Sequence, residues 1–251
     1  LQPGLSRPDF EGKLTSCLVN PRACRETEMP LTMAEKPKKL AVIGAGPAGL
    51  AFATTAASRG HQVTLFDAAD QIGGQFNIAK QIPGKEEFHE TLRYFRRQLT
   101  LREVTVRLGV KVEAADLSEF DEVILACGIM PRTPDIPGIG HAKVLSYLDV
   151  LRDKKPVGQR VAIVGAGGIG FDTAEYLSQH GVSSSLDQAE FNREWGIDGH
   201  LEQRGGLAAQ GPQAPRARGK SICYSAKPAK WAKAWGKPLV GSTAPAWRCA
   251  A

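Results

Sequence analysis

Apolar and polar positions change period several times along the chain. Residues 1–38 are irregular, with Pro3, Pro8, Pro21, Pro30 and Pro37 scattered through them. Behind the basic cluster Lys36–Lys39, the aliphatic run Leu40–Gly44 predicts the first clear strand. The Ala-rich stretch Pro47–Ser58 predicts a helix, with proline in its first turn and Gly60 as its stop signal. Gln62–Asp67 predicts a second strand, and a glycine-containing loop, IGGQFN, follows it. Phe88, Leu92, Phe95 and Leu99 recur at helical spacing within 86–99, and Arg93, Arg96 and Arg97 fall off that face as solvated charges. Further strands are predicted over 104–112 and 122–126, and the prolines at 131, 134 and 137 mark a domain boundary. A fresh strand–turn–helix unit starts at Arg160. Residues 181–221 are too long and polar for an ordinary connection, which predicts a lid, an insertion or disorder.

Composition adds less than position. The chain has 251 residues, 42% of them hydrophobic and 23% charged, which suits a globular protein of one large or two modest domains. No apolar run reaches the roughly 18–20 residues of a membrane span. The first residues lack the apolar centre of a secretory signal. Five irregularly spaced cysteines make no disulfide framework. A cytoplasmic location is expected, with no membrane partner. The net charge of +6 lies wholly in residues 220–251, where Lys220, Lys227, Lys230, Lys233, Lys237 and Arg248 meet no acid. Three tryptophans, Trp231, Trp235 and Trp247, share that tail. Basic residues interleaved with aromatics can bind single-stranded nucleic acid. Because the rest of the chain is neutral, the preferred reading is a tail outside the fold and no nucleic-acid partner.

Two glycine motifs concentrate the chemistry. In LAVIGAGPAGLA, Gly44, Gly46 and Gly49 fit G-x-G-x-x-G between a strand and a helix, and Asp67 ends the next strand about 20 residues on. Each position has a reason. The first glycine permits the tight turn, the second lets the backbone approach a pyrophosphate, and the third allows close packing of helix on strand. The helix N-terminus offers amides and partial positive charge to phosphates. Asp67 can accept hydrogen bonds from an adenosine ribose. In VAIVGAGGIGFDTA, Gly165, Gly167 and Gly170 repeat the pattern 121 residues later, with Gly168 adding freedom of approach. Two such turns suggest two cofactors exchanging hydride, a flavin and a nicotinamide. Asp67 is expected close to the first turn, at the carboxyl end of its strand. The strands at Leu40–Ile43, Gln62–Phe66 and Arg160–Val164 are expected to be parallel and central.

The cysteines are less informative. Cys127, in EVILACGIMPRTPDIPG, is read as a buried small residue in a strand rather than a redox centre. Cys17 and Cys24, in TSCLVNPRAC, are too few by themselves for a metal site.

The segments EGKLTSCLVNPRACRETEMP, GGQFNIAKQIPGKEEF and KVLSYLDVLRDKKPVGQRVAIVGAGGIGFDTAEYLSQ resemble the bacterial NADPH-dependent 2,4-dienoyl-CoA reductases, within the wider family of trimethylamine dehydrogenase and the enoate reductases. The likeness runs over about residues 11–222. It implies an α/β fold of two Rossmann-like dinucleotide-binding domains, FAD then NADP, both incomplete and with irregular termini. It also implies electron flow from NADPH through FAD to a 4Fe–4S cluster and FMN, ending on a dienoyl-CoA substrate in the full-length parent. On that resemblance Gly44, Gly46, Ala48 and Gly49 form the FAD pyrophosphate turn, and Asp67 meets the ribose. Gly74 and Gln75 line the same cofactor, and Val112 meets the adenine side through its backbone. Gly165, Gly167, Gly168 and Gly170 form the NADPH turn. Cys17 matches the last cluster ligand, and Cys24 matches none. No side chain is assigned a catalytic role.

The family's FMN barrel and its closing segment have no counterpart in this chain, so no full reaction is expected of it alone. A non-catalytic FAD-binding module and a generic NAD(P)H-dependent flavoprotein reductase stand as alternatives. The expected division is 1–38 for the cluster segment and linker, 39–152 for FAD, 153–222 for NADP, and an aberrant, disordered tail over 223–251. Residues 1–10 and the tail match no family pattern, and both are expected to be read out of frame, with the tail's tryptophans exposed.

Overall fold

The computed structural model describes residue 17, residues 20–179 and 181–213, and the backbone of two strands at 220–224 and 248–250. The chain divides into two compact units. The first joins the chain up to Asn77 with Glu87–Thr133, and the second joins Ile78–Glu86 with the chain from Pro134 onward. Residues 134–152 therefore group with the second unit, as does the short excursion 78–86.

Four parallel strands build the first unit: β1 (Lys39–Ile43), β2 (Gln62–Asp67), β3 (Thr105–Leu108) and β4 (Glu122–Leu125), in the order β3-β2-β1-β4. Parallel neighbours require crossovers. Helix α1 (Pro47–Ser58) makes the first, starting with Pro47 at its first position and ending before Gly60, whose φ of 92° suits glycine. The short helix α2 (Phe76–Ala79) lies between β2 and α3 (Phe88–Leu101). The expected apolar stripe of α3 is real. Leu92, Phe95 and Leu99 are buried against the core around Leu50 and Leu65, while Phe88 is half-buried and stacks on Phe76 at 4.5 Å. Arg93, Arg96 and Arg97 are exposed. Burial of each large aliphatic residue contributes about 1.5–3 kcal/mol. At the amino end of the sheet, Lys38 pairs with Glu122 and Lys39 with Glu119. The Lys39 N–H also donates to Asp121 at 2.7 Å. The strand expected over 104–112 is shorter, because Gly109, at φ 70°, turns the chain.

In the second unit β5 (Arg160–Val164), β6 (Lys220–Tyr224) and β7 (Arg248–Ala250) form a parallel sheet in that order. Helices α4 (Tyr147–Leu151), α5 (Gly168–Ser178) and α6 (Gln188–Trp195) accompany it. Two expectations change here. Among the described residues Arg160–Val164 is parallel but stands at the edge of its sheet, not its centre, and Val164 is 74% exposed. The chain beyond 222 is not wholly irregular, since residues 223, 224 and 248–250 are in strands. An open strand edge offers backbone hydrogen bonds to any extended segment, whatever its side-chain pattern. Residues 1–10 and the three tail tryptophans lie outside the described residues.

The excursion 78–86 packs Ile82 into a small core with Val150 and Leu151. Residues 181–213, expected as a lid, insertion or disorder, contain defined local structure. Asp187 caps α6 by accepting the Glu190 N–H, and Gly196 ends it in the left-handed region at φ 65°. The Asp198 carboxylate accepts the N–H groups of Gln203 and His200, which hold it below its usual value. Among the described residues no helix is long and apolar enough to cross a membrane.

Candidate functional site

All four strands of the first unit run parallel, so their carboxyl ends share one edge, where an open α/β sheet receives ligands. The glycine turn lies there between β1 and α1. Gly44 has φ 109°, and a Cβ built on it would lie 2.3 Å from the Ala126 carbonyl oxygen at the end of β4. A Cβ on Gly49 would lie 1.8 Å from the Gly44 carbonyl oxygen. Gly46 differs, because nothing lies within 4 Å of its missing Cβ. It is also the N-cap of α1, with extended backbone. Two glycines are thus demanded by the protein's own packing, and the third borders open space in front of a helix N-terminus. That space is a cradle a side chain would obstruct, and its free amides and partial positive charge suit a pyrophosphate.

Neighbouring segments complete the edge. Asp67 closes β2, and its two carboxylate oxygens accept the Ala45 N–H at 2.6 Å and the Ala69 N–H at 2.8 Å. Each oxygen keeps a lone pair for a further donor such as a ribose hydroxyl. The Gly73 N–H donates to the Ala45 carbonyl at 2.8 Å, holding the Gly73–Gln75 loop on the turn. A Cβ on Gly74 would lie 3.1 Å from the Gly46 Cα. Ala48, Gly74 and Gln75 are exposed, and Val112, following β3, is half-buried. The sequence motif did not single out Ala45, Gly73 or Ala126. Gly73, buried at φ 123°, was signalled only by its glycine doublet, and the approach of Ala126 depends on strand pairing.

The second turn repeats the first with one difference. Gly167 is the extended N-cap of α5, and a Cβ on Gly170 would lie 2.0 Å from the Gly165 carbonyl oxygen. Gly165, Gly167 and Gly168 border open space. Among the described residues Gly165 meets nothing where Gly44 meets Ala126, because no described strand flanks β5 as β4 flanks β1.

Behind this turn the Lys85 ammonium pairs with the Asp172 carboxylate of α5 at 2.6 Å. Glu175 reaches solvent, yet desolvation by its packed surroundings pushes its carboxyl above the usual value, and the charges of Glu194 and Asp172 push the same way. Glu86 moves down. Partial burial opposes this, but hydrogen bonds from Ser183 and Ser185 outweigh it.

The cysteines separate from this chemistry. Cys127 is exposed and its thiol donates to the Ile43 carbonyl at 3.7 Å, which corrects the expectation of a buried residue. It lies beyond the last residue of β4, an edge strand largely open to solvent. The Cys17 sulfur accepts the Asn20 N–H at 3.4 Å, and Cys24 is exposed. Among the described residues no group of three or more His, Cys, Asp or Glu side chains could hold a metal.

The sequence profile of the family described as pyridine nucleotide-disulphide oxidoreductase matches residues 38–191. The chain belongs to that family. It is 38% identical over 198 residues to a metal reductase of Desulforamulus reducens, covering 74% of this chain and 30% of that protein. It is 39% identical over 174 residues to a cinnamate reductase of Clostridium sporogenes, covering 68% and 26%. The chain thus spans less than a third of the length of these curated relatives. A solved 2-naphthoyl-CoA reductase in complex with 2-naphthoyl-CoA superposes with a TM-score of 0.65 at 26% identity, covering 94% of this chain and 40% of that one. The match supports the expected α/β, Rossmann-like fold with its parallel sheets.

Proposed function

We propose that this chain is the dinucleotide-binding portion of an NAD(P)H-dependent flavoprotein oxidoreductase, with FAD at the first glycine turn and NADPH at the second. The observation that carries the reading is the repeated strand–glycine turn–helix, whose third glycine in each copy has no room for a Cβ while the middle glycine borders open space. When bound, FAD supplies a two-electron acceptor for hydride from the nicotinamide. The protein's part is binding and orientation. The amides at Gly46–Gly49, with Ala48, cradle the FAD pyrophosphate, and Asp67 accepts from the ribose. Gly74, Gln75 and the Val112 backbone border the same cofactor. Gly165, Gly167, Gly168 and Gly170 serve NADPH.

More finely, we assign the chain to a 2,4-dienoyl-CoA reductase of unsaturated fatty acyl thioesters, in fatty acid β-oxidation. The loop GGQFNIAKQIPGKEEF supports this, as do relatives named for cinnamate and 2-naphthoyl-CoA. The 4Fe–4S cluster, FMN and the dienoyl-CoA site belong in this reading to the whole parent, and Cys17 is the one residue here assigned to the cluster. A second reading is a non-catalytic FAD-binding module. It is favoured by the edge position of β5 among the described residues, where the second turn is less enclosed than the first.

The test is optical. The purified chain is loaded with FAD, desalted and titrated anaerobically with NADPH and NADH. Retained yellow colour bleached by NADPH is the expected result. Retained colour that neither nucleotide bleaches selects the non-catalytic module, and complete loss of flavin on desalting overturns the FAD assignment. The finer reading needs the parent protein, which should oxidise NADPH on addition of a dienoyl-CoA.

A further inference from the structure

We propose that Lys85 is a positioning residue for the second dinucleotide site, where its ammonium cancels the negative charge that Asp172 places near the anion-binding end of α5. The inference rests on the reading of Gly165–Gly170 as that site. The residues from Gly165 to Phe171 carry no charged side chain, so the turn attracts an anion only through backbone amides and the helix dipole, about half a positive charge. Asp172 is the fifth residue of α5, roughly 6 Å along the axis from its start at 1.5 Å per residue. A full negative charge there offsets much of the attraction that the dipole offers a pyrophosphate. Glu175 on the same helix and Glu194 on α6 add negative charge behind it.

Lys85 answers that charge directly. Its ammonium lies 2.6 Å from the Asp172 carboxylate although 87 residues separate them. It is not a loose surface lysine. Ile82 anchors its segment beside Val150 and Leu151, Lys154 bonds Gln81, and Glu86 accepts the Ser185 hydroxyl at 2.7 Å. The excursion 78–86 thus delivers one cation to the back of the second turn. As a stabilising contact the pair is worth little, because both side chains are about a third exposed. Its effect is expected in ligand affinity instead.

The experiment measures the dissociation constants of NADP+ and NADPH by equilibrium dialysis on the 251-residue chain, at low and high salt. Wild type is compared with Lys85→Gln, Lys85→Arg, Asp172→Asn and Lys85→Gln/Asp172→Asn. Lys85→Gln should bind roughly two- to sixfold more weakly at low salt, the size of one unscreened charge near 8 Å from one or two phosphate charges in a watery dielectric, with the gap closing at high salt. Lys85→Arg should bind as well as wild type, Asp172→Asn at least as tightly and more tightly at low salt, and the double variant should recover wild-type affinity. Thermal midpoints should barely change, which separates the effect from loss of structure. Lys85→Gln binding like wild type, or a double variant as weak as Lys85→Gln, overturns the inference alone. A wild-type chain that binds neither nucleotide overturns the second-site assignment and this inference with it. If Lys85→Gln does not fold, Lys85→Arg and Asp172→Asn decide, and loss of affinity in Asp172→Asn counts against the proposal.

Discussion

The Asp67 carboxylate accepts the backbone N–H of Ala45 at 2.6 Å, joining the end of β2 to the glycine turn 22 residues before it. The aspartate therefore orders the turn, beside the ribose contact proposed for it. Asp67→Ala should lower stability by about 1–3 kcal/mol, the usual cost of stranding a partly buried donor. It should also weaken FAD binding by about tenfold or more. Asp67→Asn, which keeps one carbonyl oxygen, should lie between. Ultrafiltration of FAD and thermal melts of the apoprotein provide the readout. Unchanged flavin affinity in Asp67→Ala would remove the residue from the site.

The glycines of the first turn should separate by phenotype. Gly49→Ala drives a Cβ to 1.8 Å from the Gly44 oxygen, so backbone must move, at a cost of about 3 kcal/mol or more. Gly46→Ala meets nothing and should melt like wild type without ligand, yet fail to retain flavin. A folded Gly46→Ala that keeps FAD after desalting would contradict the pyrophosphate assignment.

The same split is expected at the second turn. Gly170→Ala should destabilise the second unit, since its Cβ would reach 2.0 Å from the Gly165 oxygen. Gly167→Ala and Gly168→Ala should fold normally and bind nicotinamide dinucleotide about tenfold more weakly. Equilibrium dialysis beside urea melts distinguishes the two classes. Wild-type affinity in both Gly167→Ala and Gly168→Ala would place the nucleotide elsewhere.

A pH dependence follows from Glu175. Its folded carboxyl is raised above the usual 4.5, so between that value and the raised one the folded chain binds more protons than the unfolded chain. This contribution makes stability fall as pH rises through that window. Glu175→Gln should match wild type at acid pH and exceed it at neutral pH, modestly, because the side chain reaches solvent. Glu86 has the opposite sign, as its lowered carboxyl gives stability that is lost on acidification. Melting curves of the wild type and Glu175→Gln from pH 4 to 8 check this, and parallel curves would refute it.

Much of the first unit was legible because its signals are local. Pro47 and Gly60 bracket α1, the Phe88–Leu99 stripe has helical period, and Asp67 ends an aliphatic run. What escaped was non-local. No periodicity reveals that Lys85 meets Asp172, that Ile82 packs on Val150, or that β5 is an edge rather than a centre. Cys127 looked buried because an aliphatic strand precedes it, but burial of that strand's end needs a neighbour beyond β4. Asp187 and Gly196 did signal a helix from end to end, yet the polar, glycine-rich surroundings hid its short apolar face.

The excursion 78–86 also sets an order of assembly. On a ribosome working from the amino end, the first unit has all its strands once Thr133 emerges, and it can collapse then. Ile82 has been made by that time, but its partners Val150 and Leu151 have not. This apolar side chain must wait in water for nearly seventy further residues. The strand β6 that pairs with β5 arrives later still. During that interval Ile82 sits on a loop tethered at both ends to strands already made, an apolar group exposed to water and to chance association until its partners follow.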